Sequence, residues 1–182
     1  MSIVGIDPSL TGTGIAIING GTVSAHKIGS SGKSTDDWEQ RYCRGTNLVN
    51  RIARSVPHYS LVAIEGPSYS SVGGSSHDRS GLWWRIYDAL RVECQCTILV
   101  VSPSQRMIYA TGKGNAKKDT VLAAAIKRYQ HLIDIIDNNI ADAVVLAAIL
   151  SDLDGAPLVK LPETHMRALD KLRPEYKKLI RA

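Results

Sequence analysis

Ser2-Ile3-Val4-Gly5-Ile6-Asp7-Pro8-Ser9-Leu10-Thr11-Gly12-Thr13-Gly14-Ile15 opens this 182-residue chain with a short apolar run, one carboxylate and a turn. A second apolar run, Ile15-Ala16-Ile17-Ile18, returns directly. Runs of this length between turn residues read as buried strands rather than helices. Asp7 therefore sits at a sheet end, beside glycines that let another backbone or a phosphate come close. A carboxylate there either accepts hydrogen bonds from loop N–H groups or binds a cation.

Outward from this stretch, Asn19-Gly20-Gly21 marks a hairpin, because both turn positions need positive φ. A helix is expected from Ser34 or Thr35 to Ser55, with Trp38, Tyr42, Leu48, Val49 and Ile52 as core positions. Leu61-Val62-Ala63-Ile64 repeats the opening grammar: an apolar strand closed by an acid, Glu65, and the turn Gly66-Pro67. Ser68 to Gly81 reads as a Ser/Gly-rich loop, followed by a helix from Leu82 to Val92. Thr97 to Val101 is a further strand, Ser104 to Ala110 one or two helical turns, and Asp119 to Tyr129 a helix behind the basic loop Thr111–Asp119. Ala141 to Leu150 is a nearly all-apolar helix carrying Asp142. Strands that are apolar throughout need cover on both faces. The expected fold is α/β, a mixed five-stranded sheet with antiparallel N-terminal strands and helices on both faces. Residues 1–155 form the expected domain and 156–182 a basic extension, open to a role on DNA, on a partner subunit or as a solvated tail.

The composition narrows the partners. Hydrophobic residues make up 44%, enough for a core, and the net charge of +5 favours an anionic partner, nucleic acid first. Cys43, Cys94 and Cys96 form no disulfide framework and lack the further ligands that zinc needs. With no signal segment and no long apolar run, a cytoplasmic protein is expected. The five histidines show no ligand spacing and read as surface or incidental residues. The basic loop lacks P-loop spacing, so no nucleotide cofactor is expected.

Three acids stand out by position: Asp7 and Glu65 at strand ends and Asp142 on an apolar helix. A carboxylate in an apolar setting is costly unless paired or bound to a cation. Asn138 and Asn139 share the face of Asp142 if the helix reaches back to them. Converging carboxylates suit Mg²⁺ or Mn²⁺, which prefer oxygen ligands. Two such ions can activate a water and stabilise the leaving oxygen of a phosphodiester.

Gly5-Ile6-Asp7-Pro8-Ser9-x-x-Gly12-x-Gly14, Ile64-Glu65-Gly66-Pro67, Gly112-Lys113-Gly114-Asn115-Ala116-Lys117-Lys118 and Asn138-Asn139-Ile140-Ala141-Asp142-Ala143 follow one another as in RuvC-type Holliday junction resolvases. The chain resembles that family over roughly residues 2 to 150, and its divergent bacteriophage versions above all. The resemblance implies a ribonuclease H-like fold and a homodimer that nicks four-way DNA junctions symmetrically. It implies two Mg²⁺ ions, replaceable by Mn²⁺, on Asp7, Glu65 and Asp142. The family's fourth ligand falls at Asn139, whose neutral amide is a weaker ligand than the usual acid or histidine. Lys118 falls where the family has a lysine near the scissile phosphate, Lys113 and Lys117 would touch the DNA backbone, and Tyr69 sits near an aromatic that stacks on a junction base. Two alternatives remain: a nuclease for forks and flaps as well as junctions, or a junction-binding protein with little catalysis. An actin-like ATPase would share the first motif but needs two such domains.

Overall fold

Alternation along the strands sorts their side chains onto two faces, and each face recruits its own helices. The computed structural model describes residues 1–67 and 76–181. The elements are β1 (Ile3–Asp7), β2 (Thr13–Asn19), β3 (Thr22–Ile28), α1 (Trp38–Ser55), β4 (Leu61–Glu65), α2 (Ser76–Val92), β5 (Thr97–Val101), α3 (Pro103–Thr111), α4 (Lys118–Tyr129), α5 (Asn138–Leu153), α6 (Glu163–Met166) and α7 (Leu172–Leu179). The sheet order is β3-β2-β1-β4-β5. β1 pairs antiparallel with β2, and β2 with β3, whereas β4 runs parallel to both β1 and β5. The expected mixed five-stranded α/β sheet is the one observed.

Ile3, Leu61 and Ala63 face one core, built on α3, α4 and α5; Val4, Ile6, Val62 and Ile64 face the other, built on α1 and α2. Residues Ile140 to Ser151 of α5 are all buried, which explains why that helix is apolar on every side. It lies across β1 and β2 because two glycines give it room. A Cβ on Gly5 would stand 2.1 Å from the Ala143 carbonyl oxygen, and one on Gly14 would stand 2.0 Å from that of Asn139.

Several expectations are corrected. α1 starts at Trp38, not Ser34, because Asp37 and Gln40 form a reciprocal capping box. Trp38 and Tyr42 are exposed rather than core, on the outer face of that helix, where Arg41 and Arg85 lie over their rings. α2 begins at Ser76, so the expected loop is shorter; Asp78 in its first turn pairs with Arg41 at 3.3 Å. His165, read as surface or incidental, is buried and its Nδ1 donates to the Tyr109 carbonyl at 2.8 Å.

The basic C-terminal segment folds back. Leu161, Ala168, Leu169, Leu172 and Tyr176 are buried in the same core as α5, and α6 and α7 dock on α3 and β5. Its cations stay outside while most of its large apolar side chains are covered, Ile180 excepted. Among the described residues no helix is long and apolar enough to cross a membrane, and all three cysteines are free.

Candidate active site

The period-2 rule that builds the core also aims the acids. Ile3 and Gly5 face α5, so Asp7 at the end of β1 points to the same face. Leu61 and Ala63 face it too, and Glu65 at the end of β4 follows them. Asp7 and Glu65 therefore emerge side by side at the carboxyl ends of two parallel strands, where open α/β sheets form their crevices. The turn after Asp7 is fixed by Thr13, fully buried, whose hydroxyl donates to the Ser9 carbonyl (2.8 Å) and accepts from the Ser9 N–H (3.0 Å). The strand end at Glu65 is tied down by Trp83, whose indole N–H donates to the Glu65 carbonyl at 2.8 Å.

α5 supplies the third acid. It starts at Asn138, one turn ahead of Asp142, because Asp137 caps it by accepting the Ile140 N–H at 2.9 Å. The helix thus reaches back far enough to put Asn138 and Asn139 on the face of Asp142. Asn139 lies at the inner edge of the opening turn, its Nδ2 3.0 Å from where a Cβ on Gly12 would sit. Asp137 itself is turned away to Lys27 Nζ at 2.5 Å. Partial burial pushes its carboxyl up, but the hydrogen bonds from Lys27 and the Ile140 N–H win and hold it below the usual range.

The three acids share a strained electrostatic environment. Burial, then the charges of Glu65 and Asp142, raise the Asp7 carboxyl well above its ordinary range, against the pull of Arg106 and Lys118. Asp142, only 7% exposed, is pushed up to about 6, chiefly by desolvation, with Arg106 opposing and Glu65 adding to the rise. Lys118, the first residue of α4, stands close enough for its charge to act on both Asp7 and Asp142, although its own side chain is exposed. Lys113 and Lys117 are exposed on the loop and at the cap of α4. Tyr69 lies outside the described residues. Asp7 and Glu65 open onto a cleft of about 490 Å³ whose far wall is Arg79, Trp83 and Trp84 of α2.

Arg106 was missed in the sequence. Its guanidinium donates through Nε to Glu65 Oε2 and through Nη1 to Asp142 Oδ1, and it is buried between them. Burial works against its charge, but Glu65 and Asp142 outweigh that and raise its proton affinity further. Only the structure brings it there: Glu65 pairs with Val101 across β4 and β5. The helix that follows β5 starts at once, with Ser102 capping and Pro103 in its first turn, so a side chain one turn in lies at the same sheet end. Among the described residues, no three His, Cys, Asp or Glu side chains stand close enough to share one metal ion. The donor set still fits Mg²⁺ or Mn²⁺ in kind: three carboxylates and an amide, all oxygen ligands, with two of the acids raised chiefly by burial.

No protein-family model and no curated protein matches the chain. Solved structures do. The structure of Thermus thermophilus RuvC aligns with a TM-score of 0.59 at 19% identity, over 86% of this chain and 98% of that one. T. thermophilus RuvC in complex with a Holliday junction substrate aligns with a TM-score of 0.61 at 19% identity, over 81% and 90%. The five-stranded order, the flanking helices and these alignments together give this divergent chain the RuvC-type, ribonuclease H-like fold.

Proposed function

We propose that this protein is a metal-dependent, structure-selective endodeoxyribonuclease that resolves four-way DNA junctions by paired symmetric nicks. The observation that carries the reading is the set of three acids from three distant segments at one sheet end, two of them with raised proton affinity from burial and mutual repulsion. Such a cluster is unfavourable by itself and becomes favourable around cations. Asp7, Glu65 and Asp142 would hold Mg²⁺ or Mn²⁺, with Asn139 as a neutral fourth donor. Bound there, the ions supply activation of the attacking water and stabilisation of the leaving oxygen.

The chain's own residues do the rest. Glu65 and Asp7 fix the floor of the cleft because their strands are hydrogen-bonded neighbours that cannot splay apart. Lys118 brings a positive charge to the edge of the cluster, suited to offset charge that builds on a phosphate in the transition state. Lys113 and Lys117, exposed beside it, extend a basic surface along which a DNA backbone could run. Paired nicks require two such sites, so a homodimer with a two-fold axis is part of the proposal. The junction-bound T. thermophilus RuvC structure supports branched DNA as the substrate class.

The test is cleavage of an end-labelled four-way junction beside a linear and a forked duplex, with Mg²⁺, Mn²⁺ or EDTA. Symmetric paired nicks are expected, abolished by EDTA and lowered about 10²–10³-fold or more in Asp142→Asn. Equal cutting of the fork would widen the substrate to branched DNA in general. A second reading, junction binding with little catalysis, draws on the neutral Asn139 and on Arg106 bound to two of the acids. It predicts a shifted junction in a gel with no nicks at any metal concentration.

A further inference from the structure

Arg106 occupies the middle of the acid cluster. One guanidinium bridges Glu65 on β4 and Asp142 on α5, with each carboxylate giving it one oxygen. The side chain is 9% exposed and comes from a helix held by its own capping box, Ser102 with Gln105. A planar fork that reaches two carboxylates at once is geometry that lysine cannot reproduce. The same two carboxylates are ligands that the proposed metal site would use. A guanidinium on a carboxylate spends part of its acceptor capacity and sets a positive charge against an incoming cation, so the two occupancies compete there.

Resting on the metal reading above, we propose that Arg106 is an internal competitor for the divalent cation: it holds Glu65 and Asp142 in register, sets the metal concentration at which the site loads, and must release them on loading. Its charge then becomes free at the edge of the cleft that receives the DNA backbone. A site held closed about nine-tenths of the time binds its ligand about tenfold more weakly than the same site open. The burial of Arg106 between its two partners places the equilibrium on the closed side.

The experiment is a Mn²⁺ titration of the DNA-free protein, read by the electron paramagnetic resonance signal of free Mn²⁺. Wild type, Arg106→Lys, Arg106→Gln and Asp142→Asn are compared. Arg106→Gln is expected to bind about tenfold more tightly than wild type. Arg106→Lys, which keeps the charge but not the fork, is expected to fall between them. Arg106→Lys matching wild type would mean that charge alone governs affinity and would overturn the competition. So would Arg106→Gln binding equally or more weakly, since a purely structural arginine lowers affinity when removed. In either case wild-type binding that is lost in Asp142→Asn leaves the metal reading standing. No Mn²⁺ binding by any variant overturns both. Should the variants fail to fold, the wild type suffices: the Arg106 Nε–H resonance is expected to shift as Mg²⁺ is added. A resonance unmoved by Mg²⁺ that demonstrably binds would overturn the proposal.

Discussion

A carboxylic acid that keeps its proton to about pH 6 in the folded state makes the protein's stability depend on pH in an unusual direction. Asp142 binds its proton more tightly folded than unfolded. Its contribution to stability is therefore present below about pH 4 and lost as pH rises to about 6, the reverse of an ordinary salt-bridged aspartate. Asp142→Asn removes that loss. In EDTA at pH 8 the variant is expected to be more stable than wild type by on the order of 1–3 kcal/mol, with the gap closing by pH 4. For a chain of this size that is roughly 2–10 °C in Tm, within reach of a thermal melt. A variant less stable at pH 8 would mean that the bond to Arg106 outweighs the desolvation of the carboxylate. At this scale the sequence was partly legible. Asp7 and Glu65 could be found because an acid closing an apolar strand is a local pattern, and Asp142 because it interrupts an apolar helix. Arg106 could not, since its neighbours in the sequence are ordinary and its partners lie 41 and 36 residues away.

Helix α5 is the element on which the site depends, and glycines govern how close it comes. A methyl group at Gly5 would meet backbone atoms of Ala143 and Ala147 at 2.1 and 2.4 Å, inside any permissible contact. Gly5→Ala must push α5 off β1, taking Asp142 away from Asp7. A loss of at least about 1–3 kcal/mol is expected, with a lower denaturant midpoint and a parallel loss of Mn²⁺ affinity. Gly81, in α2, offers the contrast: nothing lies within 4 Å of its added Cβ. Gly81→Ala is expected to raise stability by roughly 0.5–1 kcal/mol on helix propensity alone. Unchanged stability in the first variant would sink the account of α5 packing. Element boundaries were the least readable feature. Ser/Gly composition hid the first turns of α2, whose Asp78 gains a partner only when α1 lies alongside. Trp38 and Tyr42 had helical spacing but the wrong side of the helix, because neither side chain says by itself which face the sheet will cover.

Across the whole molecule, 22 lysines and arginines against 17 acids leave a net charge of +5, yet the acids of the proposed site are gathered at one sheet end. On the proposed function, a basic body around an acidic point would let the DNA backbone supply affinity while cations reconcile the phosphate with the carboxylates. Junction affinity is expected to fall linearly in log–log plots against salt, and Lys113→Ala or Lys117→Ala to reduce that slope by about one each, with little change in which branch point is chosen. A slope unchanged in both would remove these lysines from the DNA surface. The sheet itself was readable from apolar runs and turn residues, whereas the C-terminal segment was not: its prolines and cations looked like a tail, and only α3 and β5 give its sparse apolar residues something to cover. The placement of the three acids at residues 7, 65 and 142 also bears on synthesis. The ribosome makes β1 and β4 long before α5, and until α5 emerges the cleft has neither its third carboxylate nor the helix that closes the sheet. Non-local contacts of this kind form late in folding. On the proposed function, a half-made chain would be no hazard to DNA, because the three acids come together only once most of the polypeptide has left the exit tunnel.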